Sequence, residues 1–296
     1  MLERKIIGMP PADRLGILRF LVVLAALLEV LSLPFASLAE LPADWYHPKG
    51  LILLLPQFCL KALLASAPAL ILFKAVLIAF LILAMIGIWT NFSLLMSALL
   101  YFILVGCVHA YASFFNLNVI PLYLLFLMVW LPTGDGFSID SKIKKIPVYS
   151  HSSLTIGWSI FLLRAVLAFC YFQWGYAKLR NMGFEWLEPW NLRHFFIQNN
   201  LNPMPLDLNW GLNLVHLPNS FWSTLAAFVF FSELFFPVIL FSWNLRQVVP
   251  LLVGGLHALV LFLQNLFFPG LVILLLIFYD WDRVFFARSL NPLSPP

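Results

Sequence analysis

The chain has 296 residues, of which 62% are hydrophobic and only 10% charged, and its formal net charge is +4. A soluble domain is about a quarter charged, so this composition, with a mean hydropathy of +0.95, excludes one as the bulk of the sequence. The thin positive excess also excludes the dense basic patch that nucleic-acid binding requires, and the length is instead taken up by membrane segments of roughly 20 residues each.

Residues 1–13, MLERKIIGMPPAD, are charged and hold a Pro-Pro pair; they read as a short cytoplasmic arm. The first span is expected over 14–38. Its apolar run is too long for a signal peptide, and Glu29 interrupts it without a small-residue cleavage pattern. Residues 41–50, LPADWYHPKG, read as an extracytoplasmic loop. The next stretch, 51–68, is broken by Pro56 and Lys61 and reads as an interfacial or re-entrant helix. Spans follow over 69–89, 92–116 and 117–133, and 132–153 is the longest polar stretch. A long span, 154–179, ends in YFQWGYAKLRNM. The aromatic, proline-rich segment 184–218 suits the headgroup region, where Trp and Tyr gather. Spans over 220–243, 247–268 and 270–287 complete the reading. The predicted fold is all-α, a polytopic transmembrane helical bundle of about eight spans plus interfacial helices. One transmembrane domain covers 14–290, and 291–296 form a C-terminal tail.

Lys and Arg collect in cytoplasmic loops. With the N-terminus inside, the inner segments hold Arg4, Lys5, Arg14, the KIKK run at 142–145, Arg246, Arg283 and Arg288. The outer segments hold fewer: Lys49, Lys61, Lys178, Arg180 and Arg193. Both termini are therefore expected in the cytoplasm, with Lys178 on the outer side. The cysteines Cys59, Cys107 and Cys170 are far apart and show no CxxC or metal-type spacing. They read as buried, inert thiols.

Charged groups inside spans pair or work. Lys74, near the start of its span, reads as snorkelling to the interface. Arg164, mid-helix, needs a partner, with Glu29 or Glu233 as the candidates. His257, between small residues and Gln264, fits an interhelical hydrogen bond. Two readings stand for Lys178. It is an anchor at a helix C-terminus, facing the negative dipole end, or an amine held in an apolar pocket as a base or nucleophile. GxGxxG, P-loop and HExxH motifs are absent, and no inverted repeat points to a transporter.

Several stretches resemble the horizontally transferred transmembrane family, which includes the membrane part of vitamin K-dependent gamma-carboxylase. DRLGILRFLVVLAALLE resembles the family's first helix, with Asp13, Arg14 and Arg19 in place. LPTGDGFSID, 131–140, is similar to a family loop in which a proline and an acidic residue precede Ser-x-Asp. YFQWGYAKL looks like the carboxylase segment with Tyr-Phe, a glycine, a basic pair and a leucine. SELFFP, 232–237, and HALVLFLQNLFFP, 257–269, resemble the last spans. The resemblance covers nearly the whole chain, and it rests on the order of short motifs.

The resemblance implies a role for Lys178 as the base that deprotonates a reduced, vitamin K-like quinone. It implies His257, His109 and Glu233 as groups that position it or relay protons, and Trp174, Tyr176 and Trp186 as cofactor-binding aromatics. It implies an apolar quinol entering from lipid and a polar substrate from outside. The chain departs from the carboxylase at Ala177, where that enzyme has a second lysine. The carboxylase's large extracytoplasmic domain has no counterpart here, which implies a separate extracytoplasmic or redox protein partner. The alternative is a non-catalytic membrane subunit whose 184–218 segment docks a partner or lipid.

Overall fold

The computed structural model describes residues 10–111, 119–145, 153–201, 210–264, 266 and 268–281. The tail at 291–296 and most of the arm at 1–13 lie outside them. Among the described residues 84% are helical and none is in a strand. Twelve helices carry labels here: α1 Ala12–Ser32, α2 Gln57–Leu64, α3 Ala67–Ile86, α4 Thr90–Tyr111, α5 Val119–Val129, α6 Ile139–Ile143, α7 Ser153–Met182, α8 Pro189–Leu201, α9 Trp210–Leu214, α10 Asn219–Leu234, α11 Trp243–Gln264 and α12 Pro269–Leu275.

Five helical runs are long and apolar enough to cross a membrane: Ala12–Ser32, Ala67–Ile86, Thr90–Tyr111, Leu154–Leu187 and Trp243–Gln264. The chain is an integral membrane protein. The other expected spans are shorter helices, and prolines account for much of the difference. Leu33 turns extended before Pro34, which ends α1. Pro237 sits at the start of a 3-10 segment, Phe236–Phe241, so the run expected over 220–243 divides after Leu234. The stretch 51–68 is broken as expected, into the 3-10 segment Gly50–Leu54 and the eight-residue α2. One thiol departs from the expectation. Cys107 and Cys170 are buried, but Cys59 is exposed on α2, because its neighbours Leu60 and Leu64 take the inward face of that short helix.

The chain forms two compact units, one of 1–163 with 280–296 and one of 164–279. The first is built on α1, α3, α4 and α5. In it α1 packs on α3, α3 on α4, α4 on α5 and α5 back on α1, which closes a four-helix ring. Its core follows helical spacing: Leu15, Leu18 and Val22 from α1, Leu70, Leu77 and Leu81 from α3, and Leu94, Ala98 and Tyr101 from α4. Outward positions such as Ile71, Leu72 and Ile82 are equally apolar and exposed, as a lipid-facing helix requires. α3 has local stop signals at both ends. Ser66 accepts from the Ala69 N–H at its start, and Gly87 closes it at φ 74°.

The second unit holds the later part of α7 with α8–α12. α8 packs on α10 and α11, and α11 on α12. Leu192, Phe196, Trp222 and Ala226 form a buried cluster, in which the Phe196 and Trp222 rings meet edge to face at 4.8 Å.

Candidate functional site

The site forms where α7 crosses the C-terminal end of α10. Tyr171, Gly175 and Lys178 lie at i, i+4 and i+7 and share one face of α7. A Cβ on Gly175 would sit 2.5 Å from the backbone nitrogen of Leu234, so only glycine admits this approach. On either side of that contact the two strands of chain run in opposite directions. Lys178 meets Glu233, and Tyr171 meets Phe236.

Lys178 Nζ donates to Glu233 Oε2 at 2.5 Å. The two side chains keep only 20% and 15% of their exposure, so this is an ion pair largely withdrawn from solvent. The ammonium also lies over the Trp186 ring, 5.1 Å from its centroid, which adds cation–π attraction. Trp174, Ala177, Lys178, Asn181, Met182 and Trp186 line a hollow of about 250 Å³. Trp186 Nε1, buried, has no hydrogen-bond partner.

One helical turn and more toward the N-terminus, Tyr171 is buried. Its ring stacks on Phe236 with centroids 4.3 Å apart, and its hydroxyl shares a 2.8 Å hydrogen bond with His257 Nε2. Phe236 belongs at the same time to the wall of an apolar groove of about 730 Å³ between α10 and α11, together with Phe228, Phe231, Ile239, Val249 and Val253. Val249, Val253 and His257 repeat every four residues on α11 and lie along one side of that helix. The second unit thus combines a lysine–carboxylate pair beside an aromatic hollow with a tyrosine–histidine pair near an apolar groove.

The sequence candidates divide accordingly. Lys178, Glu233, Trp174 and Trp186 are brought together, and His257 joins through Tyr171. Tyr176 is half-exposed and stacks on Phe172. His109 is on α4, in the first unit. Glu233 serves Lys178 rather than Arg164; Arg164 donates to the carbonyls of Ile277 at 2.9 Å and Tyr279 at 3.3 Å. Lys74 donates to the carbonyls of Leu33 at 2.6 Å and Leu31 at 3.4 Å, where a cation meets the negative end of α1. Sequence reasoning missed Tyr171, Gly175 and Phe236. The signal for the first two was their helical spacing from Lys178.

A second polar assembly lies in the first unit. Arg19, with no exposed surface, donates to the carbonyls of Thr133 and Phe137, each at 2.6 Å. Asp13 accepts from the Phe137 N–H at 2.8 Å. Gly16 and Gly136 allow α1 and this loop to touch backbone to backbone. The motifs DRLGILRF and LPTGDGFSID are therefore one folded element. Asp140 in turn accepts from the Trp89 N–H, the Thr90 N–H and the Thr90 hydroxyl, capping the start of α4.

Searches of family models, curated proteins and solved structures return no match to this chain.

Proposed function

We propose that this integral membrane protein is an enzyme that withdraws a proton from a lipid-soluble, quinol-type substrate, with Lys178 as the accepting group. The observation that carries the reading is the Lys178–Glu233 pair on the edge of an aromatic hollow. Transfer of the shared proton from Nζ to the Glu233 carboxylate leaves an uncharged amine beside an uncharged acid. The amine then takes the proton of a substrate hydroxyl. The pair gains one proton, and the substrate leaves as its oxyanion. The new ammonium, flanked by aromatic rings in a low-dielectric setting, stabilises that anion where it forms. Tyr171 and His257 supply a second hydrogen-bonded route for protons, and the apolar groove beside Phe236 suits a long hydrocarbon tail.

The resemblance to the horizontally transferred transmembrane family supports the same chemistry, with a reduced quinone of the vitamin K type as the cofactor it implies. A separate extracytoplasmic or redox protein that presents a polar substrate is part of the same proposal. A non-catalytic subunit is the second reading. Its support is the position of the pair, which ties α7 to α10 on one side of the Gly175 contact.

The test is mass spectrometry of lipids and quinones that co-purify with the protein in mild detergent, wild type against Lys178→Ala. A bound quinone that is lost or altered in the variant is the expected result. Bulk phospholipid alone in both preparations overturns the enzyme reading and favours the subunit.

A further inference from the structure

Residues 33–66 of the first unit join α1 to α3, two helices each long enough to cross a membrane. The ends of this connection are tied together. Lys74, in the second turn of α3, donates to the carbonyls of Leu31 and Leu33 at the end of α1. A third crossing helix meets the same connection. The His47 N–H donates to the Ala110 carbonyl of α4 at 2.9 Å, and the Tyr46 and Tyr111 rings lie with centroids 5.7 Å apart. One end of α1, α3 and α4 therefore lies at this segment, which places it at one membrane surface.

Ile52 sets its depth. This buried side chain, in the 3-10 segment Gly50–Leu54, packs on Gly106 of α4, where a Cβ would lie 2.6 Å from its Cδ1. Gly106 comes five residues before Tyr111, so the segment reaches about 7 Å back along that helix. There it turns large apolar groups away from the protein. Leu54 is 80% and Phe58 77% exposed, with Leu51 and Leu53 exposed beside them. Leu60 and Leu64 take the inward side of α2.

The polar groups of the break are answered from within. Pro56 has no N–H to continue a helical ladder, so the carbonyls before it lose a donor. Gln57 Nε2 supplies one to Ile52 at 2.8 Å and to Leu55 at 2.9 Å. The Tyr46 hydroxyl in turn donates to Gln57 Oε1 at 3.1 Å. Water serves such carbonyls in an aqueous loop, whereas irregular backbone within a bilayer needs donors from the protein. We propose that residues 50–58 dip into one leaflet of the bilayer. Leu51, Leu54 and Phe58 lie among the acyl chains, and the Gln57 amide seals the backbone behind them. The partner is the lipid surface itself, at the boundary of headgroups and chains. Its contact continues that of α3, whose Ile71 and Leu72 are exposed near the same end.

The test is electron paramagnetic resonance of the full chain in dioleoyl phosphatidylcholine vesicles. Cys59 is exposed while Cys107 and Cys170 are buried, so a Cys59→Ser background leaves only covered thiols. Leu54→Cys, Phe58→Cys and Asp44→Cys are each introduced there and labelled with a nitroxide. All three sites are exposed, so the labelled proteins should keep the wild-type thermal midpoint. Access of oxygen is then compared with access of a water-soluble nickel chelate. Probes at positions 54 and 58 should favour oxygen and sit about 5–10 Å below the phosphates, with the probe at position 44 in water. Nickel access at positions 54 and 58 equal to that at 44 overturns the proposal, because the segment is then a loop in water. Exclusion of both reagents also overturns it, because a second copy of the chain then covers these side chains.

Discussion

Arg19 and Phe137 are 118 residues apart, yet the guanidinium of the first donates to the carbonyl of the second at 2.6 Å. The same Phe137 gives its N–H to Asp13. Its backbone is thereby gripped from both sides by one turn and a half of α1, and it holds φ 44° under that grip. A buried cation answered by carbonyl oxygens stands in for the carboxylate partner that a charge in a span is usually given.

Replacing Arg19 by Lys keeps the charge but not the fork that reaches Thr133 and Phe137 together. Hydrogen bonds from a charged donor contribute about 1.5–3 kcal/mol each, so Arg19→Lys should cost about 2 kcal/mol. Thermal unfolding in one detergent reads this directly; an unchanged midpoint would mean the loop is held by something else.

Asp140 makes stability depend on acid. Burial raises its pKa, but the hydrogen bonds from Thr90 and Trp89, with Lys144 nearby, outweigh that and hold it below the ordinary carboxylate value. A group depressed in the folded state stabilises the fold above its unfolded pKa and loses that contribution as pH falls through the folded value. The wild-type midpoint should therefore drop as pH falls below about 4, the unfolded carboxylate value. Asp140→Asn should be less stable by about 1 kcal/mol at neutral pH, as loss of a cap implies, and its midpoint should vary less over the acid range. Parallel pH profiles would rule out this role.

Gly175→Ala is a test of the crossing. Alanine favours a helix interior over glycine by about 1 kcal/mol, but here its methyl group meets the Leu234 backbone, which has no rotamer to yield. Overpacking costs of about 1–3 kcal/mol are typical, so the net effect is destabilising. It should also weaken any bound quinone, since Lys178 and Glu233 move apart. A stabilised Gly175→Ala would show that α10 is free to shift.

Tyr171→Phe keeps the stack on Phe236 and removes only the hydroxyl. His257 Nε2 then loses its 2.8 Å partner, at a cost of about 1–3 kcal/mol for a polar group left unsatisfied. His257→Phe on the same background should recover part of that loss, because the unpaired ring nitrogen goes with it. Additive losses, measured by thermal unfolding of the four proteins, would show the two residues to be independent.

Lys178 and Glu233 separate catalysis from packing. Each single alanine variant should lose about 3–5 kcal/mol by stranding the other charge, and the double variant should lose much less. An enzyme whose base is Lys178 stays inactive, and short of its quinone, in the stable double variant. Full ligand retention in that double variant would reduce the pair to a tie between helices.

How far the site was legible follows from what kind of property each part is. Lys178, Trp174 and Trp186 were visible as polar and aromatic residues at a helix end. Gly175 and Tyr171 were visible as members of the YFQWGYAKL stretch and by their spacing from Lys178, but nothing local says that a backbone will press on that glycine. The pairing expected for Arg164, with Glu29 or Glu233, illustrates the limit. Arg164 and Glu233 sit in apolar segments and have opposite charge, but Glu233 meets Lys178 and Arg164 donates to the carbonyls of Ile277 and Tyr279.

What the sequence by itself determined is the class of protein: an all-helical chain in a membrane, with most long helices located to within a few residues. Hydropathy, helix length and proline stops are local, and a bilayer permits few alternatives. The tertiary structure alone decided the partners. It joined Asp13 and Arg19 to Phe137, Asp140 to Thr90, Tyr171 to His257 and Lys178 to Glu233. Which polar groups meet depends on which helices are neighbours and in what register, and that is set by packing between residues far apart in the chain.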